Sequence, residues 1–120
     1  MKLTDDEKRL WAVAQDRSSK GDLAGTIELL RDLVSVRSES ALFNAVFANA
    51  VNEQGDTELA QTHFMTAARL DPACEAYSLG LFHCLWSAGK REEALNEAAR
   101  FTALADSEEY RGIVSEINRE

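Results

Sequence analysis

The side chains with intrinsic nucleophilic or metal-binding chemistry are few: Cys74, Cys84, His63 and His83. A zinc site made of Cys74, His83 and Cys84 requires all three to converge on one tetrahedral ion. On a helix, adjacent residues such as His83 and Cys84 point about 100° apart, so this spacing argues against a metal. The two cysteines form neither a CxxC pair nor a disulfide framework, which is consistent with a reducing compartment. His83 has no evident partner to orient it as a base, so it reads as a recognition or packing residue. His63 is expected to face outward or to lie between structural units. No GxxxxGKS/T phosphate loop, HExxH zinc helix, GxSxG elbow or GxGxxG fingerprint occurs. A Cys–His pair meets in space rather than in sequence, so sequence alone leaves it open. The expectation is a protein that is not an enzyme, with no metal and no cofactor.

Charge narrows the partners. The chain has 120 residues, with 13 Lys plus Arg against 21 Asp plus Glu, a formal charge of -8. Such a balance repels phosphate backbones and anionic lipid, so neither nucleic acid nor a membrane surface is an expected partner. No stretch is long and apolar enough to span a bilayer. The start, Met1-Lys2-Leu3-Thr4-Asp5-Asp6-Glu7, turns acidic at once and lacks the apolar run of a secretory signal. A soluble, cytoplasmic, single-domain protein is expected over residues 1–120. The acidic runs Asp5-Asp6-Glu7, Glu92-Glu93 and Glu108-Glu109 suit helix starts, where carboxylates favour the macrodipole. They would also steer a basic partner.

The elements that must position these residues are marked by glycine. Gly21, Gly55 and Gly89 are spaced 34 residues apart. After each glycine, apolar residues recur at helical spacing: Ile27, Leu30, Leu33 and Val34; then Leu59, Ala60, Phe64, Ala67, Ala68 and Leu70; then Ala94, Leu95, Ala98, Phe101 and Leu104. The stretches before each glycine are helical too, carrying Leu10, Trp11, Val13 and Ala14, then Leu42, Phe43, Val46, Phe47 and Ala50, then Tyr77, Leu81, Phe82 and Leu85. Glycine costs roughly 1 kcal/mol against alanine inside a helix, so three in phase read as turns. Asp22 and Asp56 are candidate N-caps, and Thr4 with Glu7 has capping-box spacing. Asp106 with Glu109 has the same spacing, and Asp71-Pro72 reads as a helix start. Strict alternation and hairpin dipeptides are missing, so strands have little support.

A fixed 34-residue period marks a stacked helix-pair solenoid, and the sequence resembles the tetratricopeptide repeat (TPR) family. Repeats fit at about 7–40, 41–74 and 75–108, with a capping helix at about 107–119 whose stripe is Tyr110, Ile113, Val114 and Ile117. The second repeat matches best, through Gly55-Asp56, Ala60, Phe64, Ala67, Leu70 and Pro72. The third carries Phe82 where the family prefers a small residue. The first departs at Thr26 and Ser38. The fold expected is all-α, an α-α superhelix of three helix pairs plus a capping helix.

The resemblance implies a concave groove lined by the first helix of each pair. Residue by residue, that groove would present Lys8, Trp11, Gln15 and Ser18, then Leu42, Ala45, Val46, Asn49 and Asn52, then Ala76, Leu79, His83 and Trp86. Tryptophan is a favoured interface anchor, and amides can both donate to and accept from an extended peptide. Trp11 and Trp86 have a competing reading as core residues, and Trp86 as one packed under the capping helix. The family's carboxylate clamp needs a basic fork, but its places carry Trp11, Gln15, Val46, Ala76 and Gly80. A protein or peptide partner held in the groove is therefore expected, as for an adaptor or a dedicated chaperone. The alternatives are an immunity or antitoxin protein masking a basic effector, and a structural homo-oligomer that self-associates through the groove or the capping stripe.

Overall fold

The computed structural model describes residues 3–119; Met1 and Lys2 of the amino-terminal reading lie outside them. Seven helices follow one another among these residues: α1 (Asp5–Ser19), α2 (Leu23–Val36), α3 (Ala41–Glu53), α4 (Thr57–Leu70), α5 (Glu75–Ser87), α6 (Arg91–Leu104) and α7 (Glu108–Asn118). No strand occurs among the described residues. Consecutive helices pack on each other from α1 against α2 through to α5 against α6. The result is long, 47 × 29 × 20 Å, with a radius of gyration of 15.2 Å. A compact domain of this length would measure about 13.5 Å, so the helices stack rather than close around one centre.

The phased glycines set the turns. Gly21, Gly55 and Gly89 have φ of 78°, 99° and 79°, which side-chain-bearing residues rarely adopt. Each lets the chain leave a helix through a bond spanning five residues, from Asp22 N–H to Arg17 C=O, Asp56 to Val51 and Lys90 to Leu85, each 2.9 Å. Asp22 and Asp56 then cap α2 and α4 with their side chains, and Thr4 with Glu7 forms a complete capping box on α1.

Two other helix starts differ from expectation. Asp71-Pro72 does not open α5; Asp71 ends α4, Pro72 lies in the turn, and Cys74 is the N-cap. Asp106 does not cap α7. Ser107 does, accepting from the Tyr110 N–H at 3.1 Å, while Asp106 pairs with Arg111.

The core runs along the stack through Leu30, Leu33, Phe43, Val51, Phe64, Leu81, Phe82 and Phe101, all buried. Buried alanines (Ala14, Ala48, Ala60, Ala67, Ala94) keep neighbouring helices close. Phe82 stands where Ala48 and Ala14 stand one and two repeats earlier. It fits because its outer neighbour is α7, whose Tyr110 ring meets it edge-on at 5.7 Å. Val13, Leu70, Leu95 and Leu104, expected on the buried stripes, are exposed. Leu70 and Leu104 fall in the last turn of their helices.

A position pair recurs with the repeat: Leu10 with Leu29, which line one surface cleft, then Asn44 with His63 and Ser78 with Glu97, each bonded across the two helices of one pair. The His63 ring nitrogen and the Asn44 carbonyl oxygen lie 2.8 Å apart, and the ring edge rests on Phe47 at 4.8 Å. His63 is half-buried, bonded across its own helix pair beside Phe47, whose ring Arg31 of the preceding pair crosses, and burial pushes its pKa down. Ser78 donates to Glu97 at 2.6 Å and meets the Tyr110 hydroxyl at 2.6 Å; Arg100 grips the same carboxylate at 2.6 Å and reaches the Pro72 carbonyl at 3.0 Å. This buried network pins α7, the capping helix. Of its expected stripe, Tyr110 is buried, Ile113 and Ile117 are half-buried, and Val114 is exposed.

Candidate binding groove

Helices α1 and α3 present their free faces on one side of the stack, and between them opens a cleft of about 390 Å³. Trp11, Gln15 and Ser18 line it from α1; Val46, Asn49 and Glu53 line it from α3. Spacings of three and four residues place each trio on one helix face. Trp11 is half-buried, with its ring 5.4 Å from Phe43 at a 39° tilt, so the indole is held from beneath while its other side faces the cleft. Gln15, Ser18 and Asn49 are exposed around it and offer both donors and acceptors. Thr26 and Leu30 of α2 close the floor.

Five of the residues predicted from sequence, Trp11, Gln15, Ser18, Val46 and Asn49, meet in this cleft. Lys8, Leu42, Asn52, Ala76, Leu79, His83 and Trp86 lie outside its lining. Leu42, Asn52 and His83 are exposed, Leu79 and Trp86 half-buried. Ala45 is buried and cannot line a groove. Trp86 stacks on Phe82 at 5.7 Å, and the Arg91 guanidinium lies over its ring at 4.6 Å. The sequence reading missed Glu53 and the α2 floor. Glu53 follows Asn49 by one helical turn and was within reach of the same spacing logic. The α2 residues carried no such signal, because their access depends on how far α1 and α3 splay.

A second cleft, about 710 Å³, lies between the start of α5 and α7 and is lined by Glu75, Glu108, Glu109, Gly112, Ile113 and Glu116. The first cleft holds no Lys or Arg, and its one charged residue is Glu53. A basic fork for a carboxylate is therefore missing from that lining.

The cysteines do not combine with His83. Cys84 is buried, which pushes its thiol pKa up, Cys74 is half-buried, and both are free. Among the described residues no group of three or more His, Cys, Asp or Glu side chains is arranged to hold a metal ion. No helix among them is long and apolar enough to cross a membrane.

No protein-family model matches the sequence, and no curated protein matches it. Solved structures do match the fold. The Yersinia enterocolitica type III secretion chaperone SycD, solved with a peptide of the translocator YopD, superposes with a TM-score of 0.78 at 16% identity, covering 98% of this chain and 90% of that one. The first TPR of Spaghetti (RPAP3), bound to the HSP90 peptide SRMEEVD, gives 0.77 at 14% identity, over 94% and 93%. The Sgt2 TPR domain of Aspergillus fumigatus gives 0.76 at 15% identity, over 98% and 84%. The chain therefore has the tetratricopeptide-repeat fold, with three helix pairs and a capping helix.

Proposed function

We propose that this chain is a cytoplasmic, non-enzymatic interaction module that holds a segment of another protein along the α1–α3 face. The domain would act as one unit of three repeats, at about 7–40, 41–74 and 75–108. The observation that carries this reading is the α1–α3 cleft, where a half-buried tryptophan supported from below is ringed by exposed amide and hydroxyl groups. An apolar side chain of the partner would sit against Trp11 while Gln15 and Asn49 bond its backbone. Of the two forms this can take, an adaptor or a dedicated chaperone, the chaperone is supported by the likeness to SycD over nearly the whole of both chains. The reading as an immunity or antitoxin protein that masks a basic effector draws on the four glutamates of the α5–α7 cleft and the net charge of -8.

The test is a screen of defined 15-residue peptides against the wild type, Trp11→Ala and Asn49→Ala, followed through tryptophan emission. The expected result is a set of apolar-centred ligands whose affinity falls at least tenfold in each variant. Ligands that bind both variants as tightly as the wild type would remove the cleft from the account.

A further inference from the structure

The two ends of the stack are unlike. At the carboxyl end, α7 covers the last helix pair and buries Tyr110 completely. At the amino end, the outward side of the α1–α2 pair carries no helix of the described chain. The repeat measures what that does. Val13 corresponds to Phe47 and Leu81, one and two repeats on; those are 3% and 5% exposed, whereas Val13 is 42% exposed. Leu10, half-buried, corresponds to Asn44 and Ser78, both fully buried. Phe47 shows what normally lies there, since Arg31 of the preceding helix pair crosses its ring at 5.8 Å. Leu10, Val13 and Leu29 thus form a stacking face built like the inner ones, and they line a cleft of about 400 Å³ with Asp6 and Arg9 at its rim. Terminal repeats of solenoids ordinarily turn a polar outer face to water.

We propose that this face packs against the same face of a second copy, giving a two-fold dimer. Two observations favour a second copy over an unrelated protein. The rim carries one acid and one base, Asp6 and Arg9, one turn apart on α1, 2.6 Å from each other and well exposed. The rim is therefore neutral in a chain of charge -8, so two copies meet there without the repulsion that their acidic surfaces impose elsewhere. A two-fold axis between antiparallel α1 helices sets Arg9 of each copy against Asp6 of the other, the self-complementarity an isologous contact demands. The apolar part is small, so the dimer is weak, with Kd in the micromolar range. It leaves Trp11 and the binding cleft uncovered, so it stands or falls separately from the function proposed above.

Light scattering and sedimentation of the full chain from about 5 μM to about 500 μM test it. The mass is expected to rise from 13.3 kDa towards twice that value. Val13→Glu should weaken association at least tenfold, while Val114→Glu at the opposite end leaves it unchanged. Arg9→Glu alone and Asp6→Arg alone should each be monomeric, and mixing these two variants should restore the dimer. A wild type that stays monomeric across the range, a dimer insensitive to Val13→Glu, one lost in Val114→Glu, or a mixture that fails to associate each overturns the proposal. Helical circular dichroism equal to the wild type separates these outcomes from misfolding.

Discussion

Raising the pH should loosen the carboxyl end of the stack through Tyr110. Its ring is fully buried against Phe82 and Phe101, and burial, opposed in part by the hydrogen bond to Ser78, pushes the phenol up to about 12. The same group in an unfolded chain titrates near its ordinary value of 10. A folded pKa above the unfolded one means the native state keeps a proton that the unfolded state gives up. The contribution is therefore complete below pH 10 and drains away as the pH rises towards about 12. Two pKa units correspond to roughly 2 to 3 kcal/mol, a large share of the stability of a small domain. Tyr77 is half-buried and its pKa is also raised by burial, so it adds to the same alkaline loss. The discriminating variant is Tyr110→Phe. It should cost only about 1 kcal/mol at neutral pH, because Ser78 still donates to Glu97 when the phenol is gone. Between pH 10 and 12 it should hold its stability better than the wild type, with the Tyr77 and Cys84 parts remaining. Urea unfolding followed by circular dichroism across this range measures both. If Tyr110→Phe loses as much stability as the wild type over the alkaline window, the buried phenol is not what ties α7 to its neighbours.

At the amino end the sign reverses. Arg37 hydrogen-bonds the Glu7 carboxylate at 2.7 Å and, with the Thr4 N–H, holds its pKa at about 2, well below the ordinary 4.5. Its contribution is present above pH 4.5 and lost as the pH falls towards 2, so acid unfolding of the wild type should be steeper over that window than that of Arg37→Gln. A second packing test uses Gly80, where an added Cβ would lie 2.4 Å from the Phe64 ring. Overpacking costs about 1 to 3 kcal/mol and the gain in helix propensity about 1, so Gly80→Ala should destabilise. Combined with Phe64→Leu, the same change should become stabilising relative to that single variant; thermal melts that show the same sign in both backgrounds would refute the contact.

The helices, their order and three of their turns were legible because each rests on local signals: helical apolar spacing, a glycine at positive φ, and a capping side chain three residues from the N–H it accepts. The α5 start was misread because Pro72 suits either a first helical turn or the loop before one, and the exit of α4 through Asp71 settles it for the loop. The start of α7 offered two acceptors in sequence, and Ser107 won because the Asp106 carboxylate is drawn to Arg111. In the groove, Trp11, Gln15 and Asn49 follow from which face of a first helix is free. Trp86 could not be judged that way, since what occupies it, Arg91, comes from the next helix. The Ser78–Tyr110 contact spans 32 residues and has no sequence mark at all.

The recurring pairs across the three helix hairpins have a consequence for how the chain finds its order. Repeats of equal length invite mispairing, because a helix shifted by one unit meets nearly the same apolar surface. Here each hairpin carries a different password: two leucines, an amide with an imidazole, a hydroxyl with a carboxylate. Were α4 to fold back on α5 in place of α6, His63 would face Ser78, Asn44 would lose its imidazole, and Glu97 with Arg100 would be left outside. A stranded buried polar group costs about 1 to 3 kcal/mol, and such a slip strands several at once. The polar pairs thus give each second helix one home among three similar ones.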